Sequence, residues 1–332
     1  MTVKSFQNIP LSVLDLSPIN EGSTPTESFK NSVDLAQHVD RWGFNRYWLA
    51  EHHNMPGIGS SATSVLIGHI AGATERIRVG SGGIMLPNHA ALVIAEQFGT
   101  LESLYPGRID LGLGRAPGSD HATAYALRRT LNTSAEQFPE MVQELESYFA
   151  GTGFVHAHPG EGLDIPIWLL GSSDFSARLA ARTGKRFSFA SHFSNQNTMP
   201  AIRIYRDLFE PSGELDKPYV MLGVNVIAAE TAEKARWLAT SQQQQMFGLI
   251  RGKPGKFQPP IDENTDWNED ERFAFEQSLS SNSFIIGTPD QVKEQLTQFI
   301  EETKADEIII NSPIYHHEDR IESYKYLAEM MQ

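Results

Sequence analysis

The sequence predicts a (β/α)8 barrel. Eight short strand-like runs alternate with helical patterns along 332 residues, the arrangement expected of a parallel sheet covered by helices. Ionisable and glycine-rich clusters follow several of these runs, at the carboxyl ends where such folds place their ligands. A doubly wound sheet is the competing architecture. No G-x-G-x-x-G follows the first run, which counts against its dinucleotide-binding form.

Leu11–Leu16 is the first strand. Thr24-Pro25-Thr26-Glu27 combines a capping box with proline at the first helical position. Phe29, Val33, Ala36 and Val39 then recur at helical spacing, and Gly43 supplies the stop. Arg46–Ala50 is the second strand, an apolar run bounded by polar residues, and Ala62–Ala73 reads as a helix. Ile77–Met85 is the third strand, followed by a helix with Leu92, Ala95, Phe98 and Leu101 on one stripe. Arg108–Leu113, Ile165–Leu170 and Arg186–Ala190 are the fourth to sixth strands. Tyr219–Ala228 is the seventh, after which Thr231 caps a helix running towards Gly248. The capping box Thr288-Pro289-Asp290-Gln291 opens the helix before the eighth strand, Glu307–Asn311.

These elements make residues 1–332 a single barrel domain. The alternation breaks between about residues 250 and 282, where Arg251-Gly-Lys-Pro-Gly-Lys-Phe-Gln-Pro-Pro260 has loop composition. A long insertion before the last strand of a barrel is read as a lid.

Composition narrows the function. A formal charge of −14 without any Lys/Arg run argues against a nucleic-acid surface. The absence of cysteine excludes disulfides, thiolate metal sites and a cysteine nucleophile; no metal site is expected. No signal-peptide pattern or membrane-length apolar run is evident, so the chain is expected to be soluble and cytoplasmic.

Tyr47-Trp-Leu-Ala-Glu51-His52-His53-Asn54 is the most informative stretch, a buried strand ending in a carboxylate and two histidines. Alternation along a strand puts Glu51 and His53 on one face and His52 on the other. A histidine pair in a surface loop is the plainer reading. Ser81-Gly82-Gly83 lies near the end of the third strand, where glycines allow close approach of a ligand or form a simple bulge. Gly112-Leu-Gly-Arg115-Ala-Pro-Gly118 closes the fourth strand, and Arg115 suits phosphate or carboxylate as well as a structural salt bridge. Gly171-Ser172-Ser173-Asp174-Phe175-Ser176 opens a helix, where backbone N–H groups and hydroxyls can cradle a phosphate or the serines can simply cap the helix.

Together these segments resemble the bacterial luciferase-like flavin monooxygenases. The likeness is carried by Trp48-Leu-Ala-Glu-His-His-Asn54, Val79-Gly-Ser-Gly-Gly-Ile-Met-Leu-Pro-Asn88, Ala95-Glu-Gln-Phe98 and Pro106-Gly-Arg-Ile-Asp-Leu-Gly-Leu-Gly-Arg115. Leu-Leu-Gly-Ser-Ser173 and Asp306-Glu-Ile-Ile-Ile-Asn311 extend it over nearly the whole chain. The wording is nearest a subgroup of uncharacterised bacterial luciferase-like oxidoreductases. The resemblance implies reduced FMN bound at the carboxyl ends of the strands, O2 as co-substrate, and a separate NAD(P)H:flavin reductase as supplier. It implies His52 as catalytic histidine with Glu51 and His53 as neighbours, and a cis peptide at Gly82–Gly83 beneath the flavin ring, with Ser81 beside it. Arg115 and the loop of Gly171, Ser172, Ser173 and Ser176 would hold the phosphate. It also implies a homodimer through Ala62–Ala73 and Leu92–Tyr105, where Val65, Ile67, Val93 and Ile94 exceed one buried stripe.

Two departures matter. Luciferase has a cysteine just before the arginine, where Gly114 stands here, and a carboxylate where Ser172 stands. The phosphate loop is closer to that of alkanesulfonate-oxidising relatives, and light emission is not implied. A flavin-binding protein without turnover and an F420-dependent hydride-transfer enzyme are the alternatives. The organic substrate is not readable from the sequence.

Overall fold

A computed structural model of the chain describes residues 9–116, 121–128 and 135–331. β1 (Leu11–Asp15) leads to α1 (Pro25–Trp42), and β2 (Arg46–Leu49) to α2 (Thr63–Gly72). β3 (Arg78–Ser81) and the short β4 (Ile84–Met85) precede α3 (Ala91–Leu104). β5 (Ile109–Gly114) is followed by α4 (His121–Arg128) and α5 (Phe138–Phe149), and β6 (Ile167–Gly171) by α6 (Asp174–Arg182). β7 (Arg186–Phe189) leads to α7 (Thr198–Asp207). β8 (Val220–Ala228) precedes α8 (Ala232–Ile250), α9 (Glu263–Asp266) and α10 (Glu269–Leu279). β9 (Phe284–Gly287), α11 (Pro289–Thr303), β10 (Glu307–Asn311) and α12 (His317–Met330) follow.

All pairings among these strands are parallel. The order runs β1-β2-β3-β5-β6-β7-β8, and β10 pairs with both β8 and β1, closing an eight-stranded barrel. Each of the eight sequence runs supplies one barrel strand. The local signals also hold: Thr24 and Thr288 form reciprocal capping boxes with Glu27 and Gln291, and Thr231 accepts from the Lys234 N–H. Gly43 ends α1 at φ +85°, a conformation that costs a residue without Cβ little.

Two features depart from the sequence reading. The third run is interrupted: β3 pairs with β5 at Val79 and Gly80, the Gly82–Gly83 peptide is cis, and β4 pairs with β5 again at Ile84 and Met85. A ninth parallel strand, β9, lies beside the long β8, whose residues Val226–Ala228 extend past the β10 pairing. It is only four residues long and sits between helices, so its apolar run carries no periodicity of its own.

Strand alternation separates two interiors. Val13, Tyr47, Leu49, Val79, Leu111, Leu169, Phe187, Leu222 and Ile310 are fully buried between strands and helices. Leu14, Trp48, Trp168, Met221 and Ile309 form a separate cluster inside the barrel, where the two indoles meet edge to face at 5.2 Å. Below them the barrel is filled with charge. Arg46 contacts Asp110 at 2.7 Å and Glu307 at 2.8 Å, and Arg78 reaches the other oxygen of Asp110 at 2.7 Å. Glu307 also accepts from Ser12, from Asn45 at 3.0 Å and from the Tyr219 hydroxyl at 2.9 Å. Burial opposes the Arg46 charge, but attraction to the two carboxylates outweighs it and raises its pKa.

Residues 251–282 are partly helical, not one long loop. Trp267 and Phe275 of this segment pack with Leu238 of α8 and Phe284 of β9 in a small apolar cluster of their own. Arg236 of α8 ties Glu263 and Glu276 of α9 and α10 to it. Phe257 exchanges main-chain hydrogen bonds with the loop after β1, donating to Ile19 at 3.0 Å and accepting from Glu21 at 2.8 Å. The segment therefore straps the carboxyl-terminal face of the barrel beside the loop Pro18–Ser23. Among the described residues, no helix is long and apolar enough to cross a membrane.

Candidate active site

The carboxyl end of β2 delivers Glu51, His52 and His53 to the barrel mouth. Glu51 and His53 fall on one face and His52 on the other, as alternation requires. Glu51 is 1% exposed. Its Oε1 lies 2.8 Å from His53 Nε2 and 2.9 Å from His89 Nε2, and its Oε2 accepts from the Met85 N–H at 2.9 Å. Burial pushes this carboxyl up, but the hydrogen bonds from His89, His53 and Met85 outweigh it and hold Glu51 below the usual glutamate range. An ionised carboxylate only accepts. Both imidazoles must therefore present Nε2–H to Glu51.

His52 faces the opposite way, into a cavity at the carboxyl-terminal mouth. It makes no hydrogen bond to any described residue, and Glu51 does not hold its ring. Burial lowers its pKa, partly offset by the charge of Glu51. His52 is thus a neutral imidazole at physiological pH with both ring nitrogens uncommitted. His53 is not part of the cavity lining; it serves Glu51.

The same cavity is lined by Gly82, Gly83, Arg115, Gly171, Ser172, Ser173 and Ser176. These residues come from the ends of β3, β5 and β6, so the barrel brings together three clusters distant in sequence. A Cβ on Gly82 would stand 2.8 Å from Leu14 Cδ1, and one on Gly83 would stand 2.7 Å from the Gly112 carbonyl oxygen. Any larger residue would push these neighbours apart. Ser81 is the exception to the expected set. Its side chain is fully buried and bridges strands, donating to the Gly112 carbonyl at 2.8 Å and accepting from the Gly112 N–H at 3.0 Å. It belongs to the floor and not to the cavity surface.

Arg115 forms no ion pair with a described carboxylate, and its guanidinium lies over the Phe175 ring at 4.2 Å. The structural salt bridge considered for it is thus missing among the described residues; Pro117 and Gly118, the end of its glycine-rich turn, lie outside them. Ser173 occupies the position before α6 with extended backbone (φ −142°) but makes no capping hydrogen bond. The hydroxyls of Ser172, Ser173 and Ser176 all lack partners among the described residues, while Asp174 turns to Arg178 at 3.1 Å. The helix start and its hydroxyls are open to a ligand.

Two histidines here were not evident from sequence. His89 follows β4 and reaches Glu51 across 38 positions. His192, after β7, lines the cavity, with its ring 4.2 Å from that of Phe193. Its buried Nδ1 has no hydrogen bond among the described residues, and burial pushes the imidazole down to about 4. A histidine just past the sixth strand run was the available signal for His192; His89 offered only its place after Pro87-Asn88. No group of three or more His, Asp or Glu side chains among the described residues could hold a metal.

Comparison with known proteins identifies the class. The family model of luciferase-like monooxygenases matches residues 9–307. An uncharacterised Bacillus subtilis protein, YvbT, is 57% identical over 325 residues, covering 96% of each chain. A luciferase-like monooxygenase of Escherichia coli K12 is 48% identical over 331 residues, 98% of each chain. The crystal structure of apo-MsnO8 superposes with a TM-score of 0.91 at 34% identity, covering 97% of this chain and 98% of that one. At lower identity the fold alone is shared, with an FMN complex of a type II Baeyer–Villiger monooxygenase from Pseudomonas putida (16%, TM-score 0.72, 97% of each chain) and with an F420-dependent secondary alcohol dehydrogenase (11%, TM-score 0.67, 98% and 99%).

The Glu51 network yields a stability prediction. Glu51→Gln keeps the side-chain shape and removes the charge that two imidazoles and an N–H address. Hydrogen bonds to a charged group are worth about 1.5–3 kcal/mol, so a loss of about 2–3 kcal/mol is expected near neutral pH. The folded pKa lies below the ordinary 4.5. The stabilisation is therefore complete above about 4.5 and is lost as pH falls through the depressed value. Denaturant unfolding of both proteins should show the gap narrowing in acid. A gap that stays constant would mean that the carboxylate charge is not the stabilising element.

Proposed function

Because the chain belongs to the luciferase-like monooxygenase family, we propose that it is an FMN-dependent monooxygenase. It takes reduced FMN from a separate NAD(P)H:flavin reductase and uses O2 as co-substrate, which fits a cytoplasmic site of action. One observation carries this reading: a single cavity gathers the Gly82–Gly83 pair, Arg115, the three uncommitted serine hydroxyls and His52.

The residues fit the cofactor. The glycine pair leaves backbone bare where a Cβ would already crowd Leu14 and Gly112, a surface on which a flat ring system can rest. At the other end, Arg115 and Ser172, Ser173 and Ser176 surround the start of α6, whose N–H groups and dipole favour an anion. They would hold the phosphate. When bound, reduced FMN supplies the electrons and the site of O2 activation. The protein's part is positioning, exclusion of water and proton handling. Leu14, Trp48 and Leu170 make the inner wall apolar, and residues 250–282 act as the lid over the mouth. His52, neutral at physiological pH because burial lowers its pKa, is placed to accept or relay a proton at a ring nitrogen. Glu51 and His53 act behind it, holding the turn that aims it.

The exposed apolar residues of α2 and α3 support a homodimer. Val65, Val93 and Leu104 are 69%, 43% and 63% exposed. Ile67 and Ile94, expected to share that face, are instead buried in the core. Sedimentation velocity at micromolar concentration should give the dimer mass, and a monomer throughout would remove this interface.

Arg115→Ala should weaken FMN binding about ten- to a hundredfold, the loss of one charge-assisted hydrogen bond to phosphate. Fluorescence titration of the folded variant reads this directly. Unchanged affinity would leave the phosphate to the serine loop alone. Binding of F420 in place of FMN would instead favour hydride transfer, and FMN binding without oxygen uptake would favour a flavin-binding protein without turnover.

His52→Ala should keep the melting temperature and FMN affinity near wild type. Substrate oxygenation across a panel of small organic molecules should fall by about 10²–10⁴, the usual contribution of a general acid–base group. Oxygen consumed with reduced FMN should then leave as hydrogen peroxide. A variant that is unstable yet keeps a normal ratio of product to hydrogen peroxide would show that His52 is only a packing residue.

A further inference from the structure

A second cavity of about 190 Å³ adjoins the first and shares Leu16, His52, His192 and Phe193 with it. If the first cavity holds the flavin, as proposed above, the second is the place for the organic substrate. It lies under Leu249 of α8 and Phe257 of the strap and ends on Asn225 of β8 and Asn311 of β10. Its chemistry is specific enough to name a class.

Its formal charge is cancelled within the protein. Arg320 is the one permanently charged side chain in the lining, and its Nη2 is bound to Asp15 at 2.9 Å, with Nε on the Ser312 carbonyl at 3.1 Å. Asp15 is fully buried and also accepts from Tyr47, Ser32 and the Ser17 N–H. The other titratable groups facing the cavity, His52 and His192, are both held neutral by burial. No carboxylate or lysine lines it. An anionic or cationic ligand would lose its hydration here without gaining a counter-ion.

Two asparagine amides, one on β8 and one at the end of β10, pair with each other at the cavity wall. Asn311 Nδ2 donates to Asn225 Oδ1 at 2.9 Å, and both residues line the cavity. No other hydrogen bond to either side chain is made by a described residue. The Asn225 NH2 group and the carbonyl of Asn311 thus stay free. Exchanging O and N in both amides leaves the same inventory, a free NH2 group and a free carbonyl. The remaining lining mixes apolar Met55, Ile58, Leu249 and Phe257 with the uncharged polar side chains of Gln242, Gln245 and Ser312.

We propose that this cavity binds an uncharged small molecule bearing a carboxamide-type group, whose N–H and C=O pair with the Asn225–Asn311 couple. The size is right for a one-ring ligand, since an apolar cavity of about 150 Å³ holds benzene. Benzamide, benzoate, benzylamine and toluene are therefore the probes, near one another in size but differing in charge and hydrogen bonding.

Calorimetric titration of the wild-type protein should show benzamide binding at least about tenfold more tightly than benzoate or benzylamine, the order of one lost hydrogen bond to a buried polar group. Asn311→Leu should lower benzamide affinity about tenfold and leave toluene unchanged. If that variant does not fold, Asn311→Asp, nearly the same shape, should shift the preference towards benzylamine. Benzoate binding as tightly as benzamide, or benzamide binding unaffected by either substitution, would overturn the assignment. FMN titration of the wild type is run alongside: failure there, with benzamide still selected, would count against the monooxygenase reading and not against this pocket.

Discussion

The Arg46 guanidinium, held between Asp110 and Glu307 and stacked at 4.7 Å over Trp168, fills the amino-terminal end of the barrel with charge instead of hydrocarbon. The rest of the interior depends on this plug. Breaking one partner out of such a buried set typically costs about 3–5 kcal/mol, because the remaining charge is left unpaired. The set is complete here: Arg46 and Arg78 face two carboxylates, with Ser12, Asn45, Trp48 and Tyr219 taking further lone pairs. Above it the indoles of Trp48 and Trp168 fill the middle of the barrel. The strand positions above these indoles are small, Gly82, Gly114, Ser188, Ala190 and Gly223, and all of them line the cavity. A hollow top on a filled bottom is what makes this barrel a container.

The mouth repeats the same electrostatic logic with different charges. Glu51 and Asp15 are both buried carboxylates at strand ends, and each is satisfied by groups from several elements. Glu51 draws on the segment after β2, on β4 and on the turn before α3; Asp15 draws on α1, β2 and α12. These two anions fix the rims of the two cavities. They also consume the nearby donors and the Arg320 cation, so Arg115 is the charge in the cavity walls without a partner of opposite sign among the described residues. A reaction that must exclude water is served by this arrangement, since apolar walls and a few oriented polar groups replace solvent.

The strap from residue 251 to 282 makes the second cavity possible. Its own apolar cluster around Trp267 and Phe275 lets it fold as a unit against α8, and Phe257 ties it by main-chain hydrogen bonds to the loop after β1. Part of the wall of the second cavity is therefore built from the least regular parts of the chain, carried on the barrel. This division is common where a fold keeps its chemistry and varies its specificity.

Much of the barrel was legible because its signals are local. Buried parallel strands are short apolar runs, capping boxes sit at fixed offsets, and the eight runs fall on the eight barrel strands. The Glu51-His52 motif, the glycine pair, Arg115 and the serine loop were likewise readable as segments. The cis bond at Gly82–Gly83 is present where the family likeness placed it. The tertiary structure decided which way each group faces and what it meets. Ser81 turned into the strand floor, His53 turned to Glu51, and His89 joined them from across the mouth, because pairing partners are set by strand register and not by adjacency. β9 could not be told from a loop residue by residue, since its pairing depends on the overhang of β8. Asn225 and Asn311 stand 86 positions apart and carry no motif. Only closure of the barrel through β8 and β10 places their amides side by side, and chain separation of that kind leaves no trace in a one-dimensional pattern.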